Sequence, residues 1–173
     1  MIAILIRYGL ASGLIIGSIL FGTTVAFHEA IPSPAVGMAI GYSGMLLAFS
    51  MIVLAIRQHR DVTLGGVIGF WPALGLGLGI TLIATLFYVL AWEAALSVTG
   101  MDFGAEYAGA MVADAVQGGD AATIARVKAE AAQFAADYAR PLWRMGVTAT
   151  EILPVGLLVS LVAAGWLSRR RAR

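Results

Sequence analysis

Four long apolar runs, at residues 2–27, 35–56, 67–92 and 148–167, leave this 173-residue chain few ways to fold. Each reaches the ~20 mainly apolar residues that a helix needs to cross a bilayer. In hydrocarbon the backbone must satisfy its own polar groups, so a run of this length is expected to be a helix. Composition agrees: 60% of residues are hydrophobic and 12% charged, against roughly 45–50% and about 25% in soluble domains. The expectation is an all-α integral membrane protein with four transmembrane helices.

The connections differ in kind. "HEAIPSPA" joins the first two runs, and Pro32 and Pro34 make it a short extended turn. "RQHRDVTLGG" joins the second and third, polar at first and then broken by glycine. The third connection, residues 97–140, is long and polar enough to form a helical hairpin. Its alanine-rich first half ends at Gly118 and Gly119, and Asp120 is placed to cap a second helix. Ile124, Val127, Ala131, Phe134 and Tyr138 fall on one face of that helix, and Pro141 marks its end. Such a pair packs on its own bundle, lies on the bilayer surface or meets a partner.

Basic residues orient the spans. Arg7, Arg57, Arg60, Arg169, Arg170, Arg171 and Arg173 all flank span ends that can share one side. Placing them in the cytoplasm leaves both termini inside and residues 97–140 outside. "TVA" at residues 24–26 loosely resembles a signal cleavage site. The long apolar stretch, with no basic residue before Arg7, argues instead for a retained span.

Several chemistries have no residues to carry them. Without cysteine there are no disulfides, thiolate metal sites or thiol nucleophiles. His28 and His59 are the only histidines, far apart in sequence. No phosphate loop, dinucleotide fingerprint, zinc helix or nucleophile elbow occurs. A net charge of +1 gives no reason to expect a nucleic-acid partner. The expectation is a non-enzyme without cofactor or metal.

Small residues drive close packing in lipid, where apolar attraction between helices is weak. Gly9, Gly13 and Gly17 form a stripe at four-residue spacing in the first span. Gly37 and Gly41 repeat the spacing in the second, and Gly75 and Gly79 in the third. These are candidate packing positions, within the chain or against a second copy.

The polar candidates gather near the outer boundary. Counting about 20 residues back from Ser168 puts Glu151 at the outer edge of the hydrocarbon. The same counting puts Glu93 at the outer end of the third span, and His28 and Glu29 at that of the first. Arg144, two turns from Glu151, can face it or reach across to Glu93. Pro154 removes a helical hydrogen bond to Thr150 and is a candidate kink or restart point. These charges read either as an ion-pair clamp or as a polar site for protons or cations. Tyr42, Ser43 and Tyr88 are expected to hydrogen-bond between helices, and Trp71, Trp92, Trp143 and Trp166 to form aromatic belts.

"RYGLASGLIIG", "GYSGMLLAFSMIVLAIRQHRD", "GGVIGF", "YVLAWE" and "RPLWRMGVTATEILPVGLLVSL" together resemble a bacterial membrane family, domain-of-unknown-function family 4199. The resemblance covers nearly the whole chain and implies four spans with a helical segment before the last. Trp71–Pro72 departs from the pattern, where small or basic residues are more usual. The family carries no established activity.

Two roles fit these residues. One is a structural, assembly or accessory subunit of the bacterial inner membrane, associating with lipid and with a second copy or another membrane protein. The other is a component of a cation- or proton-coupled transporter or channel that uses the outer polar cluster.

Overall fold

The computed structural model describes residues 1–28 and 34–168. It comprises α1 (Ile2–Phe27), α2 (Pro34–Gln58), a π-helical turn (His59–Thr63), α3 (Phe70–Thr99), α4 (Phe103–Gly118), α5 (Ala121–Tyr138) and α6 (Pro141–Leu167). All regular structure among the described residues is helical. α1, α2 with its π-turn, α3 and α6 are long and apolar enough to cross a membrane.

Two helices outrun the apolar segments that announce them. α3 starts at Phe70 because Gly65 and Gly66 turn the chain at positive φ and Gly69 is extended. Trp71 and Pro72 then occupy the first turn, where an N–H has no helical partner to lose. At its far end α3 runs past Trp92 to Thr99 and stops at Gly100, which takes the left-handed conformation at φ 67. α6 begins at Pro141, seven residues before the apolar run, since proline at N1 suits a helix start. It continues through Pro154 without restarting.

α3 is the most buried of the four long helices and packs along both α1 and α6, meeting α2 as well. Its register with α1 is read from close pairs. Leu5 lies against Gly79, Gly9 against Ile83, Gly13 against Phe87 and Gly17 against Ala91. α1 and α3 are therefore parallel. α6 runs the other way, with Ser160 against Gly77, Gly156 against Thr81 and Arg144 against Glu93. Ser12 donates to the Ala48 carbonyl at 2.9 Å and ties α1 to α2. Phe49, Ile52, Ile56, Leu76, Ile80 and Ile152 fill the center and are fully buried.

α4 and α5 pack against one another between α3 and α6 in chain order. Asp102 and Asp120 cap them, accepting from the backbone N–H of Ala105 at 3.0 Å and Thr123 at 2.7 Å. Phe103, Tyr107, Phe134 and Tyr138 join Trp92 of α3 and Trp143 of α6 in one run of ring contacts. Packing of this kind holds the pair to the span ends.

The Asp120 cap makes a pH prediction. The Thr123 N–H, a donor to the carboxylate, holds the Asp120 carboxyl below the ordinary aspartate value. Its stabilization is present above the unfolded-state pKa and disappears as pH falls through the lower folded one. Exchange of the Thr123 amide should accelerate below pH ~4 after correction for intrinsic rates. Asp120→Ala should exchange fast throughout; equal pH profiles for the two proteins would contradict the cap.

Candidate functional site

The polar side chains line up along the contact between α3 and α6. At the end carrying the α4–α5 pair, Arg144 grips Glu93 with a two-pronged contact. Its Nε donates to Oε1 at 2.7 Å, and its Nη2 donates to Oε2. Both side chains are about one-fifth exposed. The Arg144 Nη1 also donates to the Tyr138 carbonyl at 3.5 Å, and the guanidinium lies 5.9 Å from that ring's centroid. The Trp92 indole donates to the Tyr138 hydroxyl at 2.8 Å. Burial pushes the Tyr138 hydroxyl pKa up, the Trp92 bond opposing it. The clamp thus joins α3, α5 and α6.

Glu151 belongs to a different level. It lies seven residues inward of Arg144 on the same face of α6 and accepts from the Tyr88 hydroxyl at 3.2 Å. No other hydrogen bond or ion pair reaches it from the described residues. Tyr88 is buried, whereas Glu151 is exposed on the surface of the bundle. Further along, Thr81 and Ser160 hydroxyls meet at 3.4 Å, fully enclosed.

Glu151 lies nearer the middle of α6 than the start of the apolar run suggests. The helix begins at Pro141 rather than 148, so its midpoint is Pro154. Glu151 is three residues from that midpoint, about 5 Å at 1.5 Å per residue. Trp143 and Trp166 bracket the midpoint almost evenly. Arg144 is about 15 Å from it, the half-thickness of a hydrocarbon core. Along α6 the clamp therefore lies near the helix start and Glu151 near the middle.

The α1–α3 register separates His28 as well. Extended outward, it carries His28 nine residues beyond the level of Glu93, about 14 Å. There His28 is exposed, with Nδ1 2.8 Å from the Val25 carbonyl. Glu29 lies outside the described residues, as do Pro32 and the arginines after Ser168. Among the described residues the expected neighbors therefore do not form one cluster: Glu93 pairs with Arg144, Glu151 pairs with Tyr88, and His28 lies at another level.

The glycines divide too. A Cβ on Gly9 would come 2.6 Å from Ile83, on Gly13 2.7 Å from Phe87 and on Gly79 2.5 Å from Leu5. Gly17 is in ordinary contact, while Gly37, Gly41 and Gly75 face open space. Gly77 and Gly156, which lack the four-residue repeat, sit in the tightest α3–α6 contacts. At Pro154 the carbonyl of Thr150 loses its helical donor; separately, the Thr150 hydroxyl donates to the Val147 carbonyl at 2.6 Å.

Sequence reasoning passed over one buried polar spot. His59, in the π-turn, is buried, and its Nδ1 and the Gln58 Oε1 lack a protein hydrogen-bond partner among the described residues. Among those residues no group of three or more His, Cys, Asp or Glu side chains is placed to hold a metal ion.

A family model described as protein of unknown function (DUF4199) matches residues 7–169. No curated protein and no solved structure matches the chain.

Proposed function

This chain belongs to the DUF4199 family, and we propose that it is a non-enzymatic accessory subunit of a bacterial inner-membrane assembly. Both termini lie in the cytoplasm, and α4–α5 forms an extracytoplasmic hairpin over the ends of α3 and α6. Arg57, Arg60, Arg169, Arg170, Arg171 and Arg173 support that orientation. The observation carrying the role is Glu151. An ionizable side chain at a helix center costs about 2.5–3.5 kcal/mol on insertion scales. Tyr88 supplies one hydrogen bond and no charge, so the exposed α6 face is best explained as a surface that another protein covers.

A photoreactive benzoylphenylalanine replacing Leu158, an exposed residue on that face, should crosslink to protein in native membranes. The same replacement at Leu14, exposed on α1, should yield lipid adducts only. Lipid adducts alone at both positions would remove the accessory-subunit reading.

The depth of Glu151 also favors a second reading, a proton- or cation-coupled component. Purified protein in vesicles should then carry a flux that Glu151→Gln abolishes. A flux unchanged by the substitution, or none, removes this alternative.

A further inference from the structure

We infer that the exposed face of α6 around Glu151 seats a single transmembrane helix of another protein, and that this helix carries a lysine or arginine level with Glu151. The inference rests on the accessory-subunit reading and specifies the partner's chemistry. Its first support is the shape of the face. Glu151, Pro154, Leu158, Leu161 and Val162 follow one another at helical spacing, and all are exposed. Leu158 and Val162 are each 62% exposed. The stripe is apolar apart from one carboxyl group about 5 Å from the helix midpoint.

The second support is charge. A carboxylate in hydrocarbon is stabilized by a cation at the same depth, and polar contacts of this kind join membrane helices. The described residues of this chain have none to offer there. Arg144 holds Glu93, Arg57 lies 5.2 Å from the Trp166 ring centroid, and Arg60 pairs with Asp61. Arg7 lies near the start of α1; Arg126, Lys128 and Arg140 belong to α5 or its junction with α6, and the remaining arginines follow α6. A second copy related by a two-fold axis would bring Glu151 toward another Glu151 or toward leucines. The missing cation must come from a different protein. A lysine or arginine stem of three or four methylenes lets its charge reach along the helix to Glu151.

The test uses synthetic leucine–alanine transmembrane helices in phosphatidylcholine vesicles with the full chain. The chain has no cysteine, so Gln117→Cys, exposed at the end of α4, accepts a donor dye, and the synthetic helices carry the acceptor. A helix with one central lysine should associate about tenfold more tightly than a helix with none. Moving the lysine to the helix end should abolish the preference. Glu151→Gln should abolish it too, and Glu151→Asp should retain it, separating loss of charge from loss of fold. Equal binding with and without lysine, or a preference that survives Glu151→Gln, would overturn the inference. Energy transfer between two labeled copies of the chain, lost on Leu158→Trp, would overturn it in favor of self-association. If benzoylphenylalanine at position 158 still crosslinks to protein while lysine brings no preference, the accessory role stands and the basic partner does not.

Discussion

Arg144→Gln should lower stability in detergent by about 3 kcal/mol, and Glu93→Gln should lower it by somewhat less. The pair is mostly enclosed, with each side chain about one-fifth exposed, so deleting one member leaves the other charge partly desolvated. The two losses are unequal because the leftover partners are unequal. Without Glu93, Arg144 keeps the Tyr138 carbonyl and ring. Without Arg144, Glu93 keeps no hydrogen-bond partner among the described residues. The double variant should lose clearly less than the two single losses together, since neither half of the pair then remains unmatched. Arg144→Lys should recover only part of the loss, because an ammonium cannot reproduce the two-pronged grip. Denaturant titration of the four proteins measures the coupling directly. Additive single losses below ~0.5 kcal/mol would mean that the contact contributes little more than an exposed pair. A second readout follows from Tyr138, through which the clamp touches α5. Amides near the end of α5 should exchange faster in both single variants than in the parent.

How much of this was legible in the residues depended on the distance over which each signal acts. Span number follows from local hydropathy, and the break at Gly119 with the cap at Asp120 follows from local backbone chemistry. The break at Gly100 and the cap at Asp102 come from the structure. Partner choice is not local. Arg144 faced two carboxylates in prospect, Glu151 on its own helix and Glu93 on another, and no periodicity decides between them. The deciding quantity is the α3–α6 register, fixed by packing of Gly77 on Ser160 and Gly156 on Thr81. Position along α6 depends on equally distant information. Hydropathy locates the start of an apolar run, but α6 begins seven residues earlier, where Pro141 favors initiation and Glu93 neutralizes Arg144. Moving the helix start moves its center toward Glu151.

The same register makes Gly156 the most exacting position in the membrane-spanning region, with Gly156→Leu expected to cost about 3 kcal/mol. A Cβ there would collide with Thr81 Cγ2 and come 2.8 Å from Phe49 Cζ. Neither neighbor can easily give way. The Thr81 hydroxyl is committed to the Gly77 carbonyl at 3.0 Å and to Ser160, and Phe49 is fully buried against the core. The added side chain must therefore separate α6 from both α3 and α2. Gly41→Leu is the matched control: it adds the same side chain to a membrane helix at a glycine facing open space, and its effect should stay within about 0.5 kcal/mol. Similar losses at both positions would show that close approach at Gly156 does not set the cost, since leucine itself favors the helix over glycine. The distinction extends to the carboxylate. Tyr88 reaches Glu151 at 3.2 Å only while α3 and α6 remain this close. Gly156→Ala, with an expected loss of about 1–2 kcal/mol, should leave the protein folded but loosen that hydrogen bond. Its ability to discriminate between lysine-bearing and lysine-free helices should then rise or fall with the Tyr88–Glu151 contact, whereas Gly41→Leu should leave the discrimination intact.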